Sequence, residues 1–153
     1  MRAAADQGDG DAADVLFVED NPGDVRLARE AFAEGDLDSD LHVVSDGEAA
    51  LSFLERRGEH ADAPRPDVVL LDLNLPKVDG LEVLERVKRD DDLQRIPVVV
   101  LTGSAAEEDV ARSYERRANA YLAKPVDPAA FADLVRSFER FWLTLAELPP
   151  DPD

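Results

Sequence analysis

Five short, mostly apolar runs recur along this chain, at positions 15–18, 41–44, 67–71, 97–101 and 120–122, the first four containing β-branched residues, with helically spaced stretches between them. Strict alternation of this kind predicts repeated βα units and an α/β fold built on one parallel sheet. The helix starts are marked as well. Asn21-Pro22-Gly23-Asp24 sets a capping residue before a proline at the first helical position, and Asp127-Pro128 repeats the signal. Ser45-Asp46-Gly47-Glu48 and Ser104-Ala105-Ala106-Glu107 both fit a capping box. A further helix is expected after Asp79-Gly80, with Leu81, Val83, Leu84 and Val87 as its apolar face, and a polar loop from Gly58 to Pro66. Five strands and five helices use up the chain as one domain over 14–145, between an acidic disordered tail (1–13) and a C-terminal tail (146–153).

The polar residues that end these runs carry the chemistry. Glu19 and Asp20 follow Val15-Leu16-Phe17-Val18, Asp72 follows Val68-Val69-Leu70-Leu71, Thr102 follows Val98-Val99-Val100-Leu101, and Lys124 follows Tyr121-Leu122-Ala123. In an open parallel sheet such strand ends converge on one crevice, where ligands bind. Taken singly, each residue has an ordinary explanation: a cap, a turn, a β-former, a solvated charge. All four at the same ends of successive strands argue for one site.

That site reads as a magnesium-dependent phosphoryl acceptor. An aspartate can attack phosphorus in line to give an aspartyl phosphate, while the surrounding groups position the phosphoryl oxygens and neutralise their charge. Mg2+ suits hard oxygen ligands and bridges carboxylate to phosphate. Asp20 and Asp72 are expected as direct ligands, Glu19 through water, and the Asn74 backbone carbonyl completes the set. Lys124 and the Thr102 hydroxyl face the phosphoryl oxygens, and the Gly103 N–H lies near the start of the next helix, which favours an anion. Without metal, the clustered carboxylates are expected to raise at least one pKa.

Val18-Glu19-Asp20-Asn21, Leu70 through Pro76, Asp79-Gly80, Leu101-Thr102-Gly103 and Lys124-Pro125 resemble the receiver domains of two-component response regulators, in order and spacing, over about residues 14 to 145. The resemblance implies a doubly wound, five-stranded, flavodoxin-like (βα)5 fold. It implies Asp72 as acceptor from a sensor histidine kinase, Glu19 and Asp20 as the acidic pair, and Thr102 and Tyr121 as switch residues with Lys124. It also implies a cis Lys124-Pro125 bond. Glu19 departs from the Asp that many members carry. Phe138 through Leu145, with Asn21 through Asp24, is similar to a single-domain subgroup that includes regulators paired with phytochrome-type kinases.

Composition narrows the setting. Acidic residues number 35 against 17 basic, a formal net charge of −18, and only Lys77, Lys88 and Lys124 are lysines. Acidity spread along the whole chain is expected of a halophile's protein; a plainly soluble acidic protein, or one with a basic partner, is the alternative. Nucleic-acid binding is disfavoured, since phosphate contacts need a basic face. No cysteine, signal peptide or membrane span is present, so a cytoplasmic protein is expected.

The chain is therefore expected to be a stand-alone phosphorylation-controlled module and not an enzyme, since it closes on Pro149-Pro150-Asp151-Pro152-Asp153 without a DNA-binding domain. A Mg2+-dependent aspartyl-nucleophile phosphatase is the alternative, although Asn74 stands where such enzymes carry their acid. A flavin protein of the same topology conflicts with Glu19-Asp20, which repel phosphate. His42 and His60 do not read as phosphoryl carriers. The last helix carries Phe131, Leu134, Val135, Phe138, Phe141, Trp142 and Leu145 in an apolar stripe. Its outer end predicts a homodimer through the face of the last helix, and the family resemblance implies that residues 105 to 122 join it, giving an interface within residues 105–145; folding back over the core is the alternative.

Overall fold

Each predicted run forms a strand: β1 (Ala13–Val18), β2 (Ser39–Val44), β3 (Val68–Asp72), β4 (Val98–Thr102) and β5 (Ala120–Ala123). All pair in parallel, in the order β2-β1-β3-β4-β5. The computed structural model describes residues 13–34, 39–73, 75, 79–103, 106, 109, 118, 120–125 and 127–146, and within the last segment not the side chains of residues 139 and 141–146. Ala13, assigned from sequence to the tail, is buried in β1 opposite Ser39; both tails otherwise lie outside the described residues, apart from Ala146.

The strands are apolar at consecutive positions because helices cover both sheet faces. Leu16, Val18, Val69, Leu71, Val98 and Val100 point to one face, against α2 (Gly47–Glu55) and α3 (Gly80–Arg89). Their alternates Val15, Phe17, Val68, Leu70, Val99 and Leu101 point to the other, against α1 (Pro22–Glu34) and α4 (Pro128–Ala146). The chain leaves β1 for β2 on one side and returns to β3 on the other. This reversal opens a crevice beyond the C-terminal ends of β1 and β3.

Side-chain caps start α1 to α4. Asn21 Oδ1 accepts from the Asp24 N–H at 3.0 Å, Asp79 Oδ1 from the Leu81 N–H at 2.7 Å, and Asp127 Oδ2 from the Ala130 N–H at 3.0 Å. At α2 the cap is Asp46, accepting from the Ala49 N–H at 2.7 Å, and not Ser45 as the capping-box pattern suggested. The shift is intelligible: Asp caps as well as Ser, so the adjacent pair was ambiguous in sequence. The Gly58–Pro66 loop contains a 3-10 turn, Gly58–His60. Of the helix expected from Ser104, only Ala106 and Asp109 are described, both helical.

Candidate functional site

β1, β3, β4 and β5 end on the same side of the sheet, bringing the strand-end residues together. Glu19 lies one residue past β1, held there because its N–H donates to the Val44 carbonyl at 3.0 Å and extends the ladder with β2. Asp72 is the last residue of β3, opposite Leu101, with Thr102 next along β4. Lys124 follows β5, its N–H donating to the Thr102 carbonyl at 2.8 Å. Glu19, Asp72 and Thr102 are buried, whereas Asp20 is exposed at the rim.

Carboxylate oxygens of Glu19, Asp20 and Asp72 lie within 4.8 Å of one another. Three hard anionic donors converging with one open to solvent fit a divalent cation such as Mg2+ or Mn2+. The Asn74 carbonyl, expected to join them, lies outside the described residues.

Lys124 offsets part of this charge. Its Nζ donates to Glu19 Oε1 at 2.7 Å and Asp72 Oδ2 at 3.1 Å, and pairs with Asp24 Oδ2 at 2.9 Å. The other Glu19 oxygen accepts from the Asn21 N–H at 3.1 Å. Burial raises the Glu19 carboxyl to about 7, Lys124 partly opposing this and the neighbouring Asp72 charge adding to it. At least one carboxylate was expected to shift upward through mutual repulsion; the direction agrees, but burial is the larger cause. Burial pulls the Lys124 ammonium down, but hydrogen bonds to Glu19 and Asp24, with the charge of Asp72, hold it above its usual value.

The expected switch residues flank this centre. The Thr102 hydroxyl donates to the Leu122 carbonyl at 3.5 Å, bridging β4 to β5. The Tyr121 ring packs against the α2–α3 side of the core, and its hydroxyl accepts from the Ala118 N–H at 3.1 Å. Among the described residues no peptide bond is cis, so Lys124–Pro125 is trans, contrary to the expectation. The two isomers of such a bond differ by only about 0.5–1 kcal/mol, so local packing decides between them. His42 and His60 each pack against Phe53 instead, at 5.5 and 5.4 Å between ring centres.

Two residues had gone unremarked as parts of the site. Asp24 read only as part of the α1 start, because its partner is 100 positions away and no local pattern links them. Gly80 carries the packing that holds the Asp72 loop. A Cβ on it would lie 2.6 Å from Leu73 Cα and 2.8 Å from the Asp72 carbonyl oxygen. The Gly80 N–H donates to the Leu73 carbonyl at 3.2 Å, so α3 begins directly against the loop leaving Asp72.

Comparison with known proteins agrees with this geometry. The family model described as the response regulator receiver domain matches residues 15–136. Response regulator Rcp1 of Synechocystis sp. is 47% identical over 135 residues, covering 88% of this chain and 92% of that protein. A probable methanogenesis regulatory protein, FilR2 of Methanothrix harundinacea, is 43% identical over 132 residues, covering 84% and 83%. The phosphorylated cyanobacterial phytochrome response regulator RcpA superposes with a TM-score of 0.83 at 44% identity, covering 91% of this chain and 99% of that one. The Mn2+-bound form of Rcp1 gives 0.82 at 46% identity, covering 90% and 99%.

Proposed function

The chain belongs to the response regulator receiver family, and from that premise we propose that Asp72 is its phospho-acceptor, loaded by a histidine kinase with Mg2+ bound. The observation that carries this is the meeting of Lys124 Nζ with Asp72 Oδ2, 3.1 Å apart, beside carboxylates converging within 4.8 Å. Asp72 Oδ attacks the phosphorus of a phosphohistidine. The O–P bond forms as the P–N bond breaks, and the imidazole nitrogen leaves with the electron pair. Lys124 and the Thr102 hydroxyl then take phosphoryl oxygens, with Glu19, Asp20, Asp72 and the Asn74 carbonyl holding the cation. A Mg2+ ion held by these carboxylates would supply positive charge to offset the charge on the phosphoryl oxygens.

The protein is an acceptor acted on by its partners and not an enzyme. The phosphatase alternative is not favoured, since Asn74 cannot serve as a general acid. Relatives that are phytochrome response regulators support a phytochrome-type kinase as the donor. No helix among the described residues is long and apolar enough to cross a membrane, which fits a cytoplasmic site of action. The net charge of −18 disfavours nucleic acid as a partner, since phosphate contacts need a basic face. Phosphorylation draws Thr102 and Tyr121 toward the site and biases a homodimer formed through residues 105–145. Phe141, Trp142 and Leu145, its expected anchors, have side chains outside the described residues.

Acetyl phosphate with magnesium, or a cognate kinase, should label the wild type once and leave Asp72→Asn unlabelled. Undiminished labelling of that variant would overturn the assignment.

A further inference from the structure

An ammonium group has three N–H donors, and at Lys124 three carboxylates stand within reach of them: Glu19 at 2.7 Å, Asp24 at 2.9 Å and Asp72 at 3.1 Å. Glu19 and Asp72 belong to the group that converges on a cation; Asp24 does not. It projects from the first turn of α1, where the capping side chain is Asn21, whose Oδ1 accepts from the Asp24 N–H. Its side chain is also the wettest of the three, 23% exposed against 1% for Glu19 and 6% for Asp72.

A phosphoryl oxygen that seeks Lys124 therefore finds its donors engaged, and one carboxylate must let go. Releasing a buried carboxylate leaves an uncompensated charge, whereas a partly exposed one is taken up by water. We propose that Asp24 is a positioning residue: it holds Lys124 in the unphosphorylated chain and releases it to the arriving phosphoryl group, so that this ion pair slows the loading of Asp72.

The inference rests on the acceptor role of Asp72. With acetyl phosphate, the Asp72 Oδ–P bond forms as the P–O bond to acetate breaks, and acetate leaves with the electron pair. Parting Lys124 from Asp24 belongs to the barrier of that step. Once Asp72 is phosphorylated, Lys124 stays on the phosphoryl oxygens both before and during hydrolysis, so Asp24 affects the two states alike and the hydrolysis rate does not change.

Asp24→Asn keeps the shape and removes the charge. Loading by acetyl phosphate should accelerate about fivefold, a factor in the range for a partly exposed ion pair, while hydrolysis of the loaded protein stays within about twofold. Asp24→Glu, which restores a carboxylate, should return loading toward the wild-type rate. Trace acetylation followed by peptide mass spectrometry should show Lys124 more reactive in Asp24→Asn, with Lys88 as internal reference. Unchanged loading, unchanged Lys124 reactivity, or equal shifts in loading and hydrolysis would overturn the role of Asp24. A wild type that takes no label on Asp72 would overturn the acceptor reading itself, and this inference with it.

Discussion

At Glu19, burial and function pull in opposite directions. Its carboxyl is raised to about 7 from the usual 4.5, chiefly by burial, so the folded chain holds this proton more tightly than the unfolded chain does. Below about pH 4.5 the resulting stabilisation is present in full, and it is lost as pH rises through about 7. The amount is on the order of 3 kcal/mol, at about 1.4 kcal/mol per pKa unit. Thermal melts in EDTA at fixed ionic strength should therefore decline over this window more steeply for wild type than for Glu19→Gln. Parallel profiles would count against the shift. A bound cation favours the ionised form, so millimolar Mg2+ should recover much of the loss near neutral pH. At the rim, Asp20→Ala removes the most exposed of the three converging carboxylates. Magnesium titration should show at least about tenfold weaker binding, as expected when a charged ligand is lost, with the fold retained. Unaltered affinity would exclude Asp20 from the ligand set.

Between elements, the closest fit is α3 on the loop after β3. Gly80→Ala would place a methyl group 2.6 Å from Leu73 Cα, where only backbone can give way. Overpacking of this kind costs about 1–3 kcal/mol. Denaturant melts should show that loss, and labelling should slow if Asp72 is the acceptor, because the strained loop leads directly from it. A variant as stable and as readily labelled as wild type would refute the tight contact. On the opposite face, Phe131 of α4 is buried against the sheet with Val135 and Phe138, and Phe131→Ala should cost about 3–5 kcal/mol. These elements were legible to different degrees. Val15–Val18 and Val68–Leu71 stood out because a doubly covered strand must be apolar throughout, and Asn21-Pro22 and Asp127-Pro128 because capping is local chemistry. The convergence of Glu19, Asp20, Asp72, Thr102 and Lys124 was legible because each lies at or just past the end of a strand. The pairing of Asp24 with Lys124 was not, since the two lie 100 positions apart, and neither was the approach of Gly80 to Leu73, which appears only once α3 is docked.

Over the whole molecule, a net charge of −18 on 153 residues makes self-repulsion part of the energetics of folding. At about 1 M salt the screening length falls to ~3 Å, so molar potassium chloride should raise the melting temperature substantially if the chain is adapted to a saline cytoplasm. A flat profile from low to molar salt would argue for simple acidity. The proposed homodimer is tested by sedimentation at molar salt, where wild type should self-associate more than Trp142→Ala, and more again once phosphorylated. A wild-type monomer under all these conditions would exclude it. The account as a whole turns on the fate of one carboxylate. Borohydride reduction of the phosphorylated chain converts an acyl phosphate to homoserine, and peptide sequencing by mass spectrometry then reads its position. Homoserine at position 72 alone is the predicted result. Homoserine elsewhere, or a phosphoryl group retained on His42 or His60, would contradict the assignment of Asp72.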